Sequence, residues 1–332
     1  MNSIFRFWRY PLISAGVLLS VFFIAALLRF IDTRRAPVFE VLNFDAVTIE
    51  IIPLRDNMYV LVGEADNVFA SNIFVQIGSD GILLVDTQYD QLGEKILRAL
   101  RSLTDQPVRL IVNTHMHIDH VGGNEYLSKN FGFSGQTVEP MARPATIFAH
   151  ENVLTKLMRP RTEGGRRMEI WPTELFSGPS AELTFNGEIV HITHEPAAHT
   201  DGDVFVHLTG SKVICAGDVY NSSRLPLIDT LNDGSLDGII KALDDLATMA
   251  EEPGTIIVPG HGPIGDRNDV LEYRHMLVVI RDRVAEMIEA GMSLQQVLAA
   301  DPTADYSSYI RETRFWTADE FVAVVFDEIS RR

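Results

Sequence analysis

The composition of the 332-residue chain is typical of a globular protein, with 46% hydrophobic and 22% charged residues. Its formal net charge of −17 repels phosphate backbones, which argues against a nucleic acid as ligand or substrate. The chain has one cysteine, Cys215, so an intrachain disulfide is excluded.

The first 36 residues predict a membrane anchor. No charged residue occurs from Pro11 to Leu28, and Arg6 and Arg9 precede this apolar run. A helix of roughly 20 residues crosses a bilayer, so residues 11–28 are expected to lie in the membrane. No small-residue cleavage site follows the run, which favours an uncleaved signal-anchor with a cytoplasmic N-terminus. The rest of the chain would then lie outside the cytoplasm, in the periplasm of a bacterium. Cleavage would instead give a secreted or periplasmic protein.

Strands and helices alternate along the remaining chain, which predicts an α/β fold. Runs rich in β-branched residues predict strands, and apolar residues three and four positions apart predict helices. Strands are expected at residues 47–54, 58–62, 72–77, 81–85, 109–112, 146–149, 188–193, 204–208, 212–216 and 255–258, and helices at residues 91–103, 151–158, 235–249 and 270–289. Ser293 with Gln296, and Thr317 with Glu320, resemble capping boxes that open two further short helices.

Three parts are expected in the chain: the anchor at residues 1–36, a main domain at residues 37–266 and a helical extension at residues 267–332. Within the main domain, residues 131–180 contain several glycines, prolines and arginines. This composition predicts a loop-rich insertion, and such segments often shape the entrance to a site.

The strongest functional signal is a cluster of polar residues directly after the predicted strand 109–112. His115, His117, Asp119 and His120 fall within six residues. Imidazole and carboxylate groups are the ligands that suit zinc and neighbouring divalent metals. A loop leaving a strand can direct some of these groups to one ion and the others to a second, so the cluster predicts a metal site.

Three further polar residues come at the ends of apolar runs. His199 precedes a predicted strand, Asp218 ends the segment Val213–Asp218, and His261 follows the last predicted strand. Any one of them alone would be read as a capping or solvated group. Together with the cluster, they predict side chains that a sheet presents to one shared cleft.

These positions resemble the signature of the metallo-β-lactamase superfamily, a His-x-His-x-Asp-His loop followed by distant His, Asp and His residues. The resemblance covers roughly residues 47–265 and includes Asp86 in the segment LLVDT. It implies a four-layer αββα sandwich with two zinc ions, or iron or manganese in their place. It further implies that Asp218 bridges the ions and that Asp86 orients the histidine loop. The ligand sets that it implies are His115, His117 and His199 for the first ion, and Asp119, His120 and His261 for the second.

A paired metal site indicates hydrolysis of a small-molecule substrate. A bound divalent metal lowers the pKa of water from about 15.7 to about 7 and so supplies hydroxide at neutral pH. Attack on the carbonyl carbon of a lactam, lactone, ester or thioester is the expected reaction, and Asp119 is the candidate catalytic group that manages the proton. Two alternatives remain open: an iron-dependent sulfur dioxygenase of the same fold, and a metal-binding protein without catalysis. Tyr220, two residues after Asp218, is a candidate substrate contact.

Overall fold

A computed structural model describes most of the chain after the predicted anchor. The described residues are 43–64, 70–130, 132–134, 137–139, 144–159, 168–310 and 316–332. Within these ranges, no helix is both long enough and apolar enough to cross a membrane. Residues 11–28 lie outside the described residues, so the anchor stays a prediction.

The first sheet has seven strands in the order β1-β2-β3-β4-β5-β8-β9. The first four strands are antiparallel neighbours, and β4, β5, β8 and β9 run parallel. All five residues of β4 are buried, as in parallel strands that are covered on both faces. The strand bounds are Thr48–Arg55 (β1), Met58–Glu64 (β2), Asn72–Gly78 (β3), Gly81–Val85 (β4), Val108–Val112 (β5), Thr146–His150 (β8) and Glu174–Phe176 (β9).

The second sheet has five strands in sequence order, β10 to β14. Its first four strands are antiparallel neighbours, and β13 and β14 are parallel. The bounds are Ser180–Phe185 (β10), Glu188–Glu195 (β11), Asp203–Leu208 (β12), Val213–Cys215 (β13) and Ile256–Val258 (β14). Two short strands, Gly132–Ser134 (β6) and Thr137–Glu139 (β7), pair only with each other among the described strands.

The two large sheets face each other across one hydrophobic core. Val85 and Val112 of the first sheet belong to the same buried cluster as Val206 and Cys215 of the second. Helix α1 (Gly93–Leu103) buries Ile96, Leu97 and Leu100 and packs beside β1. Helix α5 (Leu236–Met249) covers the second sheet with an apolar face that contacts Phe205, Ile214 and Ile257. The predicted αββα sandwich is confirmed.

Three helices follow the last strand: α6 (Arg267–Glu289), α7 (Leu294–Ala300) and α8 (Ala318–Ser330). The two predicted capping boxes open α7 and α8, where Ser293 N–H donates to Gln296 and Thr317 N–H donates to Glu320, each at 2.8 Å. The apolar residues of α6 and α8 lie in the same buried cluster as those of α5. The domain boundary predicted at residue 266 would divide α5 from α6 and α8, although these helices share one buried cluster. The domain division stays a prediction.

Several short elements differ from the sequence expectation. Helix α2 (Ile118–Val121) contains Asp119 and His120 of the histidine cluster, and α3 (Asn124–Lys129) follows it; neither is predicted from the sequence. Helix α4 (Glu151–Leu157), after β8, confirms the helix predicted at residues 151–158. Strand β9 lies within the stretch predicted as a loop-rich insertion. Helix α2 has only four residues and begins where His117 carbonyl oxygen accepts from Val121 N–H at 3.0 Å. A single turn of this kind shows no apolar periodicity that a sequence pattern can reveal.

Candidate metal centre

The site lies where several strands of both sheets end. Asp86 follows β4, the histidine cluster follows β5, Asp218 follows β13 and His261 follows β14. His199 lies in the turn between β11 and β12. The sandwich thus brings together segments that are far apart along the chain.

Asp86 fixes the backbone of the histidine cluster. Its carboxylate accepts from Thr114 N–H at 2.8 Å and from Thr114 Oγ1–H at 2.7 Å. It also accepts from His120 Nδ1 at 2.7 Å. Asp86 adopts a φ of 64°, a left-handed conformation that a non-glycine residue holds only when its surroundings enforce it. These bonds place Asp86 where the resemblance implies an orienting group.

All seven candidate ligands converge. One nitrogen or oxygen atom from each member of three groups lies within 4.8 Å of the corresponding atoms of the other members. The groups are His115 with His117 and His199; His115 with His120 and Asp218; and Asp119 with His120 and His261. Asp119, His120 and His261 therefore meet on one side of the site, and the other three imidazoles meet on the opposite side.

Asp218 lies between the two sides. Its Oδ2 is 3.8 Å from His199 Nε2. Its Oδ1 is 3.2 Å from His120 Nε2 and 3.5 Å from His261 Nε2. One carboxylate oxygen thus faces each group of ligands, which is the arrangement expected of a bridging residue.

Gly260 allows this close approach of β13 and β14. A Cβ atom at residue 260 would overlap Asp218 Oδ1 and the backbone of Gly217. Gly217 itself has a φ of 52°, a conformation that glycine adopts without a steric penalty. Both positions exclude a side chain, because a Cβ atom at residue 260 would overlap Asp218 and one at residue 217 would lie 2.8 Å from Thr114 Cβ.

Each imidazole is held from outside the site through one ring nitrogen. Carbonyl and carboxylate oxygens only accept, so the ring nitrogens that contact them donate. Thr114 Oγ1 gives its hydrogen to Asp86, so it accepts from His115. The outward contacts are His115 Nδ1 to Thr114 Oγ1 at 3.0 Å, His117 Nε2 to Asp229 Oδ2 at 2.8 Å, His120 Nδ1 to Asp86 Oδ2 at 2.7 Å, His199 Nδ1 to Leu227 O at 2.6 Å and His261 Nδ1 to Ala70 O at 3.2 Å.

The second nitrogen of each ring is then directed towards the shared space, and this arrangement fits a cation. His117 Nδ1 and His199 Nε2 are 2.9 Å apart, so two lone pairs face each other in the neutral rings. His115 Nε2, His120 Nε2 and Asp218 Oδ1 are all buried. No hydrogen-bond partner is found for His115 Nε2 among the described residues, and His120 Nε2 and Asp218 Oδ1, although 3.2 Å apart, form no hydrogen bond of acceptable geometry. Buried polar atoms of this kind are costly unless a partner satisfies them. Divalent metal ions satisfy imidazole lone pairs and carboxylate oxygens together.

The two sides of the site have opposite electrostatics. Burial lowers the pKa of His115 and of His199, and the neighbouring imidazoles lower both further. Burial also acts to lower the pKa of His120 and of His261, but Asp218 and Asp119 outweigh it and raise both. For the Asp119 carboxyl, burial acts to raise the pKa, and His120 and His261 outweigh it and lower the pKa. The carboxylates are therefore ionised and are available as ligands.

One residue that the sequence analysis missed, Asp229, contacts a candidate ligand. It lies just before the 3-10 turn Thr230–Asn232 and accepts from His117. Burial acts to raise the pKa of the Asp229 carboxyl, but its hydrogen bonds from His117 and Asn232 lower it. Nothing in the sequence separates Asp229 from the other 44 acidic residues, since Asp and Glu total 45. Only the folded loop shows the contact.

The side chain of Tyr220 is buried in the helical core, and the substrate contact expected of it is not supported. Its relative exposure is 2%, and its ring packs edge-on against Tyr273 in the helical core. Burial and the nearby Asp269 raise its pKa. The 3-10 turn Gly217–Val219 sets its direction, and the spacing from Asp218 does not reveal that turn.

Comparison with known proteins gives the chain's relatives. The family model described as the metallo-beta-lactamase superfamily matches residues 66–261. A linear primary-alkylsulfatase from Pseudomonas sp. is 24% identical over 271 residues, which cover 70% of this chain and 51% of the relative. A metallo-beta-lactamase type 2 from Bacillus cereus is 23% identical over 261 residues, which cover 74% of this chain and 90% of the relative. The chain thus spans about half the length of the alkylsulfatase.

Solved structures share the fold. The crystal structure of the DIM-1 metallo-beta-lactamase superposes with a TM-score of 0.54 and 20% identity, covering 70% of this chain and 98% of that one. The sec-alkylsulfatase Pisa1 from Pseudomonas sp. superposes with a TM-score of 0.62 and 15% identity, covering 84% of this chain and 50% of that one. The family model covers more than half of the 332 residues and includes every candidate ligand. The chain therefore belongs to the metallo-beta-lactamase superfamily.

Proposed function

We propose that the protein is a metal-dependent hydrolase with two zinc ions held by the seven converging ligands. The observation that carries this proposal is the orientation of the five imidazoles. In each ring, one nitrogen donates a hydrogen bond to an acceptor outside the site, and the other faces the space between the candidate ligands. Such outside partners fix the tautomer and the orientation of metal-binding histidines. Iron and manganese accept similar ligands, so metal analysis is part of the test.

His115, His117 and His199 would hold one ion, and Asp119, His120 and His261 the other, with Asp218 between them. When bound, the pair of ions supplies hydroxide at neutral pH and polarises the bond to be broken. The chain's own side chains determine where substrate enters. His115, His120 and His199 are fully buried, whereas the side chains of His117 and Asp119 are 19% and 17% exposed. Substrate therefore reaches the site past His117 and Asp119.

Asp119 is the proposed proton-handling residue. Its carboxylate lies 3.1 Å from His261 Nε2, and its backbone oxygen accepts from Ser71 Oγ at 2.5 Å. The lowered pKa of its carboxyl keeps it ionised, so it can accept a proton from a water molecule bound in the site. Its partial exposure places it at the boundary between the buried ligands and solvent.

The proposed substrate carries a carbonyl group in a lactam, lactone, ester or thioester. Hydrolysis of a sulfate ester is a second candidate, because the region similar to the alkylsulfatase covers 70% of this chain. Attack of hydroxide on either kind of ester breaks a bond to an electron-poor centre, so the proposed metal centre would suit both reactions. The two candidates differ in the group that must be accommodated beside the metal centre.

The test is a substrate panel on the full chain loaded with zinc. The panel contains nitrocefin, a γ-lactone, a thioester, p-nitrophenyl acetate and p-nitrophenyl sulfate, and metal content is measured on the same preparation. Asp218→Ala should abolish turnover of the active substrate, whereas Asp282→Ala, an exposed aspartate of α6, should leave it unchanged. Bound iron together with oxygen uptake on a persulfide would contradict the hydrolase proposal. Metal without turnover of any member would also contradict it.

We also propose that residues 11–28 anchor the enzyme and that its site lies outside the cytoplasm. The support is the uncharged apolar run and its N-terminal position. Protease protection in intact spheroplasts tests the topology, since an exported site is digested by added protease. Full protection until the membrane is opened would contradict the proposal.

A further inference from the structure

The helical extension after the last strand contacts the segment that holds the ring of His199. This segment, residues 224–227, ends at Leu227, whose backbone oxygen accepts from His199 Nδ1 at 2.6 Å. We call residues 224–227 the His199 support. The support lies within the region that the family model matches, residues 66–261, whereas α6, α7 and α8 lie after that region. Contacts between the support and the extension therefore join the matched region to a part of the chain outside it.

Three hydrogen bonds connect the extension to three consecutive residues of the His199 support. They involve α6, the 3-10 helix Ala304–Tyr309 and Trp316, which precedes α8 by two residues. The bonds are Tyr273 Oη–H to Arg224 O at 2.9 Å, Leu225 N–H to Tyr309 O at 3.0 Å and Trp316 Nε1–H to Pro226 O at 3.1 Å. The extension thus fixes the backbone of the support up to the residue before Leu227.

Trp316 makes the contact nearest to His199 along the support. The peptide unit that joins Pro226 to Leu227 is planar, so the bond from Trp316 to Pro226 O also orients the nitrogen of Leu227. Only the backbone torsions of Leu227 then separate this plane from the oxygen that accepts from His199. Pro226 is buried, and a buried acceptor that loses its donor costs free energy. Loss of the indole N–H therefore favours a shift of Leu227.

The extension also reaches His199 through α5. Glu328 of α8 accepts from the N–H of Leu236, the first residue of α5, at 2.8 Å. The preceding residue, Ser235, donates its N–H to Ala198 O at 2.9 Å. The extension thus supports the ring of His199 by one route and the backbone before His199 by another.

We propose that Trp316 is a positioning residue of the metal centre, which holds the His199 support so that His199 Nε2 faces the ion shared with His115 and His117. This inference rests on the proposed function, because it needs the two-ion centre. Trp316 acts through Pro226, and its own ring packs against the helical core. The helical extension then contributes to metal binding as well as to the stability of that core.

The first measurement is the affinity of each zinc site. The full chain is prepared in phospholipid nanodiscs, a competitive chelator titration gives the two affinities, and His199→Ala shows which of them belongs to the site of His199. Trp316→Phe keeps an aromatic ring but removes the donor to Pro226 O. Removal of a group that contacts a metal-binding histidine costs about 10–100-fold in affinity. Because Trp316 acts through a further residue, we expect a loss of about three- to tenfold at the site of His199 alone.

Hydrogen exchange of the metal-free chain measures the same change without zinc. Asp229 N–H donates to His199 O at 3.1 Å, so its exchange reports local opening between the His199 turn and the segment after the support. We expect Trp316→Phe to exchange faster in the peptide that contains residues 227–232. Exchange in the peptides that contain β4 and β5 should stay unchanged.

Val325→Ala is the matched control. Val325 is buried in α8, so its truncation weakens the packing of the extension and leaves the three hydrogen bonds to the His199 support in place. The melting temperature of this variant should fall, and both of its zinc affinities should stay unchanged. Tyr273→Phe, which removes the donor to Arg224 O, is a second test variant. It should act in the same direction as Trp316→Phe and decides the question if that variant does not fold.

The outcomes separate this inference from the function on which it rests. Failure of the unaltered chain to bind zinc would overturn the proposed function itself. Zinc binding that is unchanged in Trp316→Phe and Tyr273→Phe would overturn only the positioning role. So would an equal loss at both zinc sites, or an equal loss in Val325→Ala, because the extension would then act through general stability.

Discussion

The two sides of the metal centre are built from different chemistry. His115, His117 and His199 form an imidazole side, in which burial and mutual repulsion lower the pKa values of His115 and His199. Asp119, His120 and His261 form a carboxylate side, in which Asp119 and Asp218 raise the pKa values of both imidazoles despite burial. The imidazole side thus favours neutral rings with free lone pairs, whereas the carboxylate side supplies negative charge directly.

This difference shows how each side depends on its surroundings. None of the three ligands of the imidazole side is a carboxylate. Negative charge density reaches His117 from the Asp229 carboxylate and His199 from the backbone oxygen of Leu227. Both acceptors belong to the loop that also carries the exposed Leu231. The carboxylate side is supported by Asp86 at the end of β4. This loop therefore supports His117 and His199, whereas Asp86 supports His120 directly and His115 through Thr114.

The largest effect is expected from Asp218→Ala, because Asp218 contacts both sides. Removal of a partner outside the ligand set costs metal proteins about 10–100-fold in affinity or activity, so loss of a shared ligand should exceed about 100-fold. Metal content and turnover of the active substrate are measured together. Asp282→Ala is the control, and retention of both ions by Asp218→Ala would show that the two sides do not share this residue.

Single-ligand variants should separate the two sides. His199→Ala should lose the ion of the imidazole side, and His261→Ala the ion of the carboxylate side, each leaving about one ion per chain. Plasma mass spectrometry of the zinc-loaded protein gives the stoichiometry. Loss of both ions from each variant would mean that the two sides cannot bind their ions separately.

Asp229→Asn tests whether the imidazole side depends on the loop. The amide keeps the shape of the side chain but removes the charge that fixes His117, so zinc affinity on that side should fall about 10–100-fold. A competitive chelator titration resolves the two affinities. The carboxylate side should be unaffected, and an equal loss on both sides would assign Asp229 a general structural role.

Lys156→Met should have a smaller effect on the same side. Lys156 pairs with Asp233 and lies 3.9 Å from Asp201, so its loss loosens the loop without removing a contact to a ligand. We expect a reduction of a few fold in zinc affinity on the imidazole side, measured by the same titration. The control is Lys212→Met, which removes an ion pair with Glu252 far along the chain from the loop. Matching effects of the two variants would rule out a specific role for Lys156.

Glu195→Gln tests the stability of the scaffold independently of the metal centre. Glu195 of β11 is buried, and burial together with the Asp245 carboxylate raises its pKa from 4.5 to about 8. The folded protein holds this proton while the unfolded chain loses it, so the stability that it contributes is complete below about pH 4.5 and is lost as the pH rises through about 8. The melting temperature of the glutamine variant, relative to that of the unaltered protein, should therefore increase as the pH increases.

Thermal unfolding between about pH 5 and pH 9 measures that gain, with the exposed Glu182→Gln as control. Zinc content of both sides should stay unchanged in Glu195→Gln. A pH-independent difference in melting temperature would contradict the raised pKa of Glu195.

The sequence predicts the scaffold better than the directions of side chains at its edge. Residues 81–85 and 110–112 form buried runs, and their pattern predicts β4 and β5 closely. The position of His199 after one run and Asp218 after another predicts that they approach each other, and the structure brings them to 3.8 Å. Strand ends are predictable because burial leaves a periodic pattern.

The direction of a side chain after the end of a strand depends on the geometry of the next turn. Turn geometry leaves no periodic pattern in the sequence. Tyr220 follows Asp218 by only two residues, yet the turn at Gly217 sends it into the helical core. Asp229 reaches His117 from 112 residues away through a 3-10 turn. The exposed Leu231 resembles any buried leucine in the sequence, so its exposure is visible only in the folded chain.

The central claim is that distant imidazoles and carboxylates share a pair of cations. Anomalous diffraction from crystals of the zinc-loaded full chain, recorded on both sides of the zinc absorption edge, tests it most directly. We expect two anomalous peaks per chain with Asp218 between them, one beside His115, His117 and His199 and the other beside Asp119, His120 and His261. A single peak, or peaks that are not in contact with Asp218, would contradict the claim.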